Sequence, residues 1–109
     1  MKSFDRRQRM HYRYALAEHG RTLATRPLGR QLRADLLQKA AGAKVVGLDF
    51  SDVLSTSHSF ADEFVARLAE AAKAGDLSFE IELSGTSQDV ERVVLKALER
   101  RGLQAPALV

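Results

Sequence analysis

Three short β-type runs alternate with three amphipathic segments along the chain, and this alternation limits the possible fold more than any other feature. The β-type runs are "YRYAL", "KVVGLDF" and "LSFEIEL". Each is followed by a segment whose apolar residues recur every three or four positions, as in a helix with one buried face. Strands that alternate with helices pack as a sheet covered by helices, so we predict an α/β domain. Right-handed crossovers would pair the later strands in parallel.

The three β-type runs differ in pattern. "KVVGLDF" is apolar and β-branched throughout, which is typical of a central strand buried on both faces. The other two alternate, which predicts one buried face each. The residues predicted to face the core are Tyr12, Tyr14 and Leu16 in the first run and Leu77, Phe79, Ile81 and Leu83 in the last.

The first helix is predicted to begin near Pro27, a residue favoured in a first helical turn. Its apolar stripe repeats every four residues and is widened by Leu37. The other members of the stripe are Leu28, Leu32, Leu36 and Ala40.

The second helix is predicted over about 60–74, and a third begins after Thr86 or Ser87. In the second, the predicted buried row is Phe60, Phe64 and Leu68. By the same periodicity, Asp62 and Glu63 fall on the solvent side of this helix.

Charge and composition limit how the chain can be divided into domains. The 109 residues are 45% hydrophobic and 28% charged, as expected for one small domain. The net charge is +3, and residues 1–14 alone hold five basic side chains against one acidic. We therefore predict a flexible basic arm over 1–10, a folded domain over 11–103 and a C-terminal tail over 104–109. The sequence has no cysteine, which fits a reducing cytoplasm, so we expect a cytoplasmic protein. No apolar run approaches the roughly 18 residues that span a bilayer, so we expect no membrane partner.

A cluster of hydroxyl groups marks the turn that enters the second helix. Ser55, Thr56, Ser57 and Ser59 surround His58. One interpretation is a simple helix start, with Ser59 as the N-cap and Asp62, three residues later, completing a short capping box.

A second interpretation treats the same turn as a modification site. A helix N-terminus favours a phosphate through its free amides and its partial positive charge. Phosphate on Ser59 would add about two negative charges beside Asp62 and Glu63. The resulting repulsion would expel a docked protein without unfolding the domain.

Enzyme chemistry is poorly supported by the sequence. There is no cysteine, and His11, His19 and His58 lack metal-ligand spacing. No glycine-rich phosphate loop occurs. Asp49 ends the central strand, and we expect its carboxylate to accept hydrogen bonds from loop amides. We therefore predict no catalytic residue, no metal site and no cofactor.

The segment around the hydroxyl cluster resembles a known domain family. Leu48, Asp49, Phe50, Ser51 and Val53 match the strand and loop entry of STAS domains, the fold of bacterial anti-sigma-factor antagonists. Three positions depart from that pattern, where Ser57 replaces an aspartate, His58 a serine and Phe60 a glycine.

A closer resemblance is to the small STAS-like domains formerly catalogued as a domain of unknown function. The segments that carry it are "TRPLGRQLRADLL", "SFADE" and "SQDVERVVLKAL". The resemblance covers roughly residues 12–101. It implies a STAS-like mixed sheet of about four strands, covered by three or so helices, with a further short strand.

The resemblance also implies a function in signalling through protein–protein interaction. Ser59 falls on the serine that a partner kinase phosphorylates in the antagonists, and Ser57 is the second candidate. The partner implied is a histidine-kinase-like ATPase acting as a serine kinase. The predicted binding surface comprises Ser55, Thr56, Ser57, His58, Ser59, Asp62 and Glu63.

Two alternatives stay open. The basic arm, with Arg6, Arg7 and Arg9, could contact nucleic acid phosphates, although short basic tails are usually only solvated and nucleic acid is the less favoured partner. The chain could also be a structural subunit of an oligomer.

Overall fold

The computed structural model describes residues 10–109. Within them lie six strands, three helices and a 3₁₀ turn at Leu16–His19. The strands are β1 His11–Ala15, β2 Thr22–Leu23, β3 Val45–Asp49, β4 Ser55–Thr56, β5 Glu80–Ser84 and β6 Ala107–Leu108. The helices are α1 Arg26–Lys39, α2, which spans residues 58–73, and α3 Gln88–Arg100. Helix α2 consists of three consecutive segments, His58–Ala61, Asp62–Ala66 and Arg67–Lys73.

The main sheet has four strands in the order β1-β3-β5-β6, and every pairing is parallel. The predicted α/β class is therefore confirmed. The expectation of a mixed sheet is wrong, because each strand of this sheet is reached through a helical crossover. A separate two-stranded parallel sheet joins β2 to β4.

The strand order determines where the helices lie. The strands of the main sheet succeed one another across it in chain order, and α1, α2 and α3 form the crossovers. Right-handed crossovers that all advance in one direction place their helices on one face. The burial pattern agrees with helices on one face only. The buried residues are Tyr14, Val46, Leu48 and Leu83, and their neighbours along each strand are mostly more exposed.

The core lies between this face and the helices. Phe60, Phe64 and Leu68 are fully buried, as the helical spacing predicts. Leu37 is 41% exposed, so its predicted place in the buried stripe is wrong. It lies on the outer side of α1, whereas Leu36 and Ala40 on either side of it in the sequence are buried in the core.

A glycine sets the distance between the first two helices. Gly29 is buried in α1, and a Cβ there would lie 2.9 Å from the Glu63 Cβ and 3.3 Å from the Phe60 carbonyl oxygen. Only a residue without a side chain allows α1 and α2 to approach this closely.

The two predicted termini have different outcomes. The predicted arm, residues 1–10, lies outside the described residues except for Met10. Within the predicted tail, Ala107–Leu108 forms β6 and extends the sheet beside β5. This is a further short strand of the kind that the resemblance implies.

Candidate functional site

The turn before α2 is tied to the small two-stranded sheet. Thr56 is buried and its hydroxyl donates to the Leu23 carbonyl at 2.9 Å. The Ser57 N–H donates to the same carbonyl at 3.0 Å. Ser55, by contrast, is exposed. We call residues 54–59 the α2 turn.

Ser57, not Ser59, is the N-cap of α2. The Ser57 hydroxyl donates to the Ala24 carbonyl at 2.6 Å and accepts from the Phe60 N–H at 3.0 Å. The predicted cap at Ser59 is therefore wrong, and so is the capping box with Asp62. Pairing with β2 holds the chain extended only as far as residue 57, and the helix begins directly afterwards.

Ser59 and His58 occupy the first helical turn and are half-buried. Among the described residues, nothing hydrogen-bonds to the Ser59 hydroxyl. The His58 Nε2 lies 3.1 Å from Nη1 of Arg100 in α3. An open groove of about 480 Å³ begins at His58 and follows the outer side of α3. Its other lining residues are Arg92, Val93, Leu95, Lys96, Glu99 and Arg100.

Leu54 stands at the start of the α2 turn with 65% of its surface exposed. Its N–H donates to the Arg21 carbonyl at 2.8 Å, which fixes the backbone. The preceding loop turns sharply at Asp52, whose φ is 68°, a conformation that aspartate tolerates better than most residues. The sequence pattern did not single out Leu54, since an isolated apolar loop residue gives no periodic signal.

Asp62 and Glu63 are buried, so the prediction that they face solvent is wrong. Only 8% and 4% of their surfaces are exposed. They lie in the middle segment of α2, where the helix widens to π-type hydrogen bonding and all five residues, Asp62–Ala66, are buried. This segment is enclosed because α1 and α3 both pack against it.

Two arginines bind Asp62 from opposite helices. Arg101, just after α3, donates from Nε to Oδ1 at 2.5 Å and from Nη2 to Oδ2 at 2.9 Å. Arg26 of α1 donates from Nη1 to Oδ2 at 2.7 Å. The Arg101 hydrogen bonds, helped by Arg26 and working against burial, hold the pKa of Asp62 well below its ordinary value.

Glu63 is bound mainly from α1. The Arg33 Nη2 lies 2.6 Å from Oε2, and the Arg33 Nε donates to the Glu63 carbonyl at 3.0 Å. Arg26 Nη1 reaches Oε1 at 3.2 Å. Burial by itself would raise the pKa of Glu63, but the two guanidinium groups outweigh it and keep that pKa below its ordinary value.

These five side chains form one cluster, which we call the arginine clasp: Arg26, Arg33, Asp62, Glu63 and Arg101. It joins α1, α2 and the end of α3 beneath the α2 turn. Its two carboxylates are already engaged, and no group of three or more acidic or histidine side chains in residues 10–109 could hold a metal ion. The clasp is suited to holding the helices in register, not to binding a ligand.

Asp49 accepts a hydrogen bond from a loop amide, as the sequence suggested. Its Oδ1 accepts from the Ser51 N–H at 2.8 Å. Its Oδ2 accepts from the Arg13 Nε at 2.6 Å, a contact that the sequence did not indicate. Burial would raise the pKa of Asp49, but the hydrogen bonds from Ser51 and Arg13 hold it below its ordinary value.

The other predicted contacts have separate outcomes. Arg6, Arg7 and Arg9, the predicted nucleic acid contacts, lie outside the described residues. In the described part of the chain, no helix has the length and apolar character needed to cross a membrane.

Comparison with known proteins gave one match. A family model described as a STAS-like domain of unknown function (DUF4325) matches residues 29–91. The matched region runs from α1 into the first turn of α3 and covers more than half of the chain. The prediction of a STAS-like domain is confirmed. No curated protein and no solved structure gave a match.

Proposed function

This chain belongs to the STAS-like family, and we propose that it acts by binding another protein through the α2 turn. The surface offered to the partner is Leu54, Ser55, the half-buried Ser57–Ser59 and the adjoining groove on α3. The sequence pattern also assigned Asp62 and Glu63 to this surface. They are buried, and through the arginine clasp they hold in place the helices that carry the surface.

The observation that carries the proposal is the contrast between Ser57 and Ser59, two residues apart. The Ser57 hydroxyl is committed to the helix cap and to the Ala24 carbonyl. The Ser59 hydroxyl has no hydrogen-bond partner among residues 10–109, although it lies in the first turn of the same helix. Ser59 can therefore be modified without loss of the cap, and it remains the favoured phosphorylation site.

The electrostatics of the site change how phosphorylation would act. Asp62 and Glu63 are paired with Arg26, Arg33 and Arg101, so they repel a nearby phosphate less than isolated carboxylates would. The free amides of the helix N-terminus favour the added charge. Phosphate on Ser59 would thus leave the fold intact and alter the charge and shape that a docked partner meets.

The proposed partner follows from the resemblance to anti-sigma-factor antagonists. It is a cytoplasmic ATPase of the histidine-kinase fold that acts as a serine kinase, or a larger signalling protein. Arg92 and Lys96 in the groove pair with Asp89 and Glu99. Arg100 has no acidic partner among the described residues, so the groove keeps a net positive charge, which supports a partner whose contacting surface is acidic. We propose no catalysis, because the His58 ring faces Arg100 and no base lies against the Ser59 hydroxyl within the described residues.

Site-directed photocrosslinking in the native cell tests the proposal. A photoreactive amino acid is placed at Leu54, and in a matched control at Leu37, which is also exposed but lies on α1. We expect a crosslinked protein from position 54, lost on Ser59→Asp, and none shared with position 37. Mass spectrometry of residues 51–67 detects the phosphate. Crosslinks from position 37 alone would refute the α2 turn as the docking surface.

A further inference from the structure

One face of the main sheet has no helix over it within residues 10–109. The crossovers place α1, α2 and α3 on the other face. The open face, as we call it, is formed by alternate residues of the three long strands. Its central residues are His11, Arg13, Val45, Gly47, Glu80 and Glu82.

An open face is unusual for a parallel sheet. Parallel sheets occur almost only with both faces covered, whereas antiparallel sheets commonly leave one face in water. Every pairing in this sheet is parallel. A second layer over the open face would give the sheet its ordinary environment.

The charges on the open face are arranged so that a second copy of the same face complements them. His11 and Arg13 lie on β1, and Glu80 and Glu82 lie on β5. The register aligns them in two rows across β3: His11, Val45 and Glu80 form one row, and Arg13, Gly47 and Glu82 the other. Each of these two rows is basic at one end, uncharged at its centre and acidic at the other end. The next row, formed by Ala15, Asp49 and Ser84, is acidic at its centre, but Asp49 is buried and paired with Arg13 of the same copy.

We propose that the open face binds a second copy of this chain, face to face, about a twofold axis parallel to β3. This rotation places β1 of one copy over β5 of the other without shifting the rows along the strands. Arg13 then faces Glu82 of the second copy, and His11 faces its Glu80. Symmetry makes each contact twice, as in any isologous interface.

Gly47 makes close packing possible at the centre of this interface. A Cβ built at Gly47 would have no heavy atom within 4 Å, so the space in front of it is open. Two sheets stack at about 10 Å with their side chains between them, and Gly47 adds no side chain on the axis that could hold the two copies further apart. The Arg13 side chain is 68% exposed even though it binds Asp49, and a guanidinium has donors enough for a second carboxylate.

The dimer leaves the α2 turn accessible, because that turn lies beside the helices. The proposal is therefore independent of the proposed function. It would give the protein two identical partner-binding surfaces, which strengthens binding to a partner that is itself dimeric.

Sedimentation equilibrium of the full chain over a range of concentrations tests the proposal. We expect a dimer for the wild type and a monomer for Gly47→Lys, with an unchanged far-UV circular dichroism spectrum. Ala34→Lys, at an exposed position of α1, adds the same charge and should remain dimeric. A monomeric wild type, or a Gly47→Lys protein as dimeric as the wild type, would overturn the proposal.

Charge reversal gives a second test. Arg13→Glu and Glu82→Arg should each weaken the homodimer by placing like charges face to face. Mixed in equal amounts, the two variants should form a heterodimer, since both contacts regain opposite charges. A mixture no more dimeric than either variant alone contradicts the predicted register. Should Arg13→Glu fail to fold beside Asp49, the Gly47→Lys comparison decides.

Discussion

Arg101 and Asp62 form a bidentate ion pair that holds the end of α3 against the middle of α2. Nε and Nη2 of the guanidinium lie 2.5 Å and 2.9 Å from the two carboxylate oxygens. The Arg101 side chain also reaches Glu70 at 3.2 Å. This pair is central to the arginine clasp, because it is the only contact in the clasp that involves the end of α3.

Arg101→Met should destabilise the fold. Asp62 would stay buried with Arg26 alone, and leaving a buried charge short of partners costs about 1–3 kcal/mol or more. Arg100→Met, one residue earlier and exposed, should change the free energy of unfolding by no more than about 0.5 kcal/mol. Urea unfolding of the two variants makes the comparison. Equal effects would mean that the clasp contributes little to stability.

Stability should fall in acid through the clasp carboxylates. The pKa values of Asp62 and Glu63 are lower in the folded state than in the unfolded chain. The folded state therefore binds fewer protons, and the stabilisation is complete above the ordinary values of about 4. It is lost as the pH falls below them. Urea unfolding between pH 7 and pH 3 should show this loss. It should be shallower in Asp62→Asn, whereas Asp89→Asn, on the exposed surface of α3, should retain the wild-type slope.

Gly29→Ala should destabilise the protein although alanine is the better helix former. The new Cβ would press on the Glu63 Cβ at 2.9 Å. Overpacking costs about 1–3 kcal/mol, more than the roughly 1 kcal/mol gained in helix propensity. Ala34→Gly, exposed on the same helix, measures the propensity effect alone. A Gly29→Ala protein more stable than the wild type would show that α1 can move away from α2 freely.

The three long strands, the three helices and their order could be predicted from the sequence, whereas β2, β4 and β6 could not be located. The alternation of strands and helices, the central strand and the buried row of Phe60 and Phe64 follow from local periodicity, which burial on one face imposes. Periodicity failed at Asp62 and Glu63, because it cannot show that two further helices enclose α2. The guanidinium groups that make this burial tolerable come from positions 30 to 39 residues away in the sequence.

The sequence predicted where the candidate site lies in the fold, but not which serine caps α2 or that Leu54 is exposed beside it. The hydroxyl cluster does lie at the helix entry, yet the sequence put the cap two residues too late. The Ser57 cap depends on the pairing of β2 with β4, two strands of two residues each. Strands this short carry no alternation to detect. Leu54 was missed for a related reason, since its exposure results from the conformation of the loop.

Substitution of Ser57 and of Ser59 by alanine should change the free energy of unfolding by different amounts. Ser57→Ala removes the cap of α2 and should lower the free energy of unfolding by about 1 kcal/mol. Ser59→Ala removes no hydrogen bond found within residues 10–109 and should change it by less than about 0.5 kcal/mol. Thermal or urea unfolding of both proteins is sufficient. If Ser59→Ala were the more destabilising, Ser59 would belong to the structure of the turn and would be a poor site for modification.

The affinity of the purified partner, once it is identified by crosslinking, tests the central claim most directly. Dissociation constants are measured for the wild type, Ser59→Ala and Ser59→Asp, with Gln31→Asp as a control that adds one negative charge at an exposed position of α1. We predict that Ser59→Ala and the control bind like the wild type. Ser59→Asp should bind at least about tenfold more weakly, a loss of about 1.4 kcal/mol. Equal affinities for all four proteins would contradict the account.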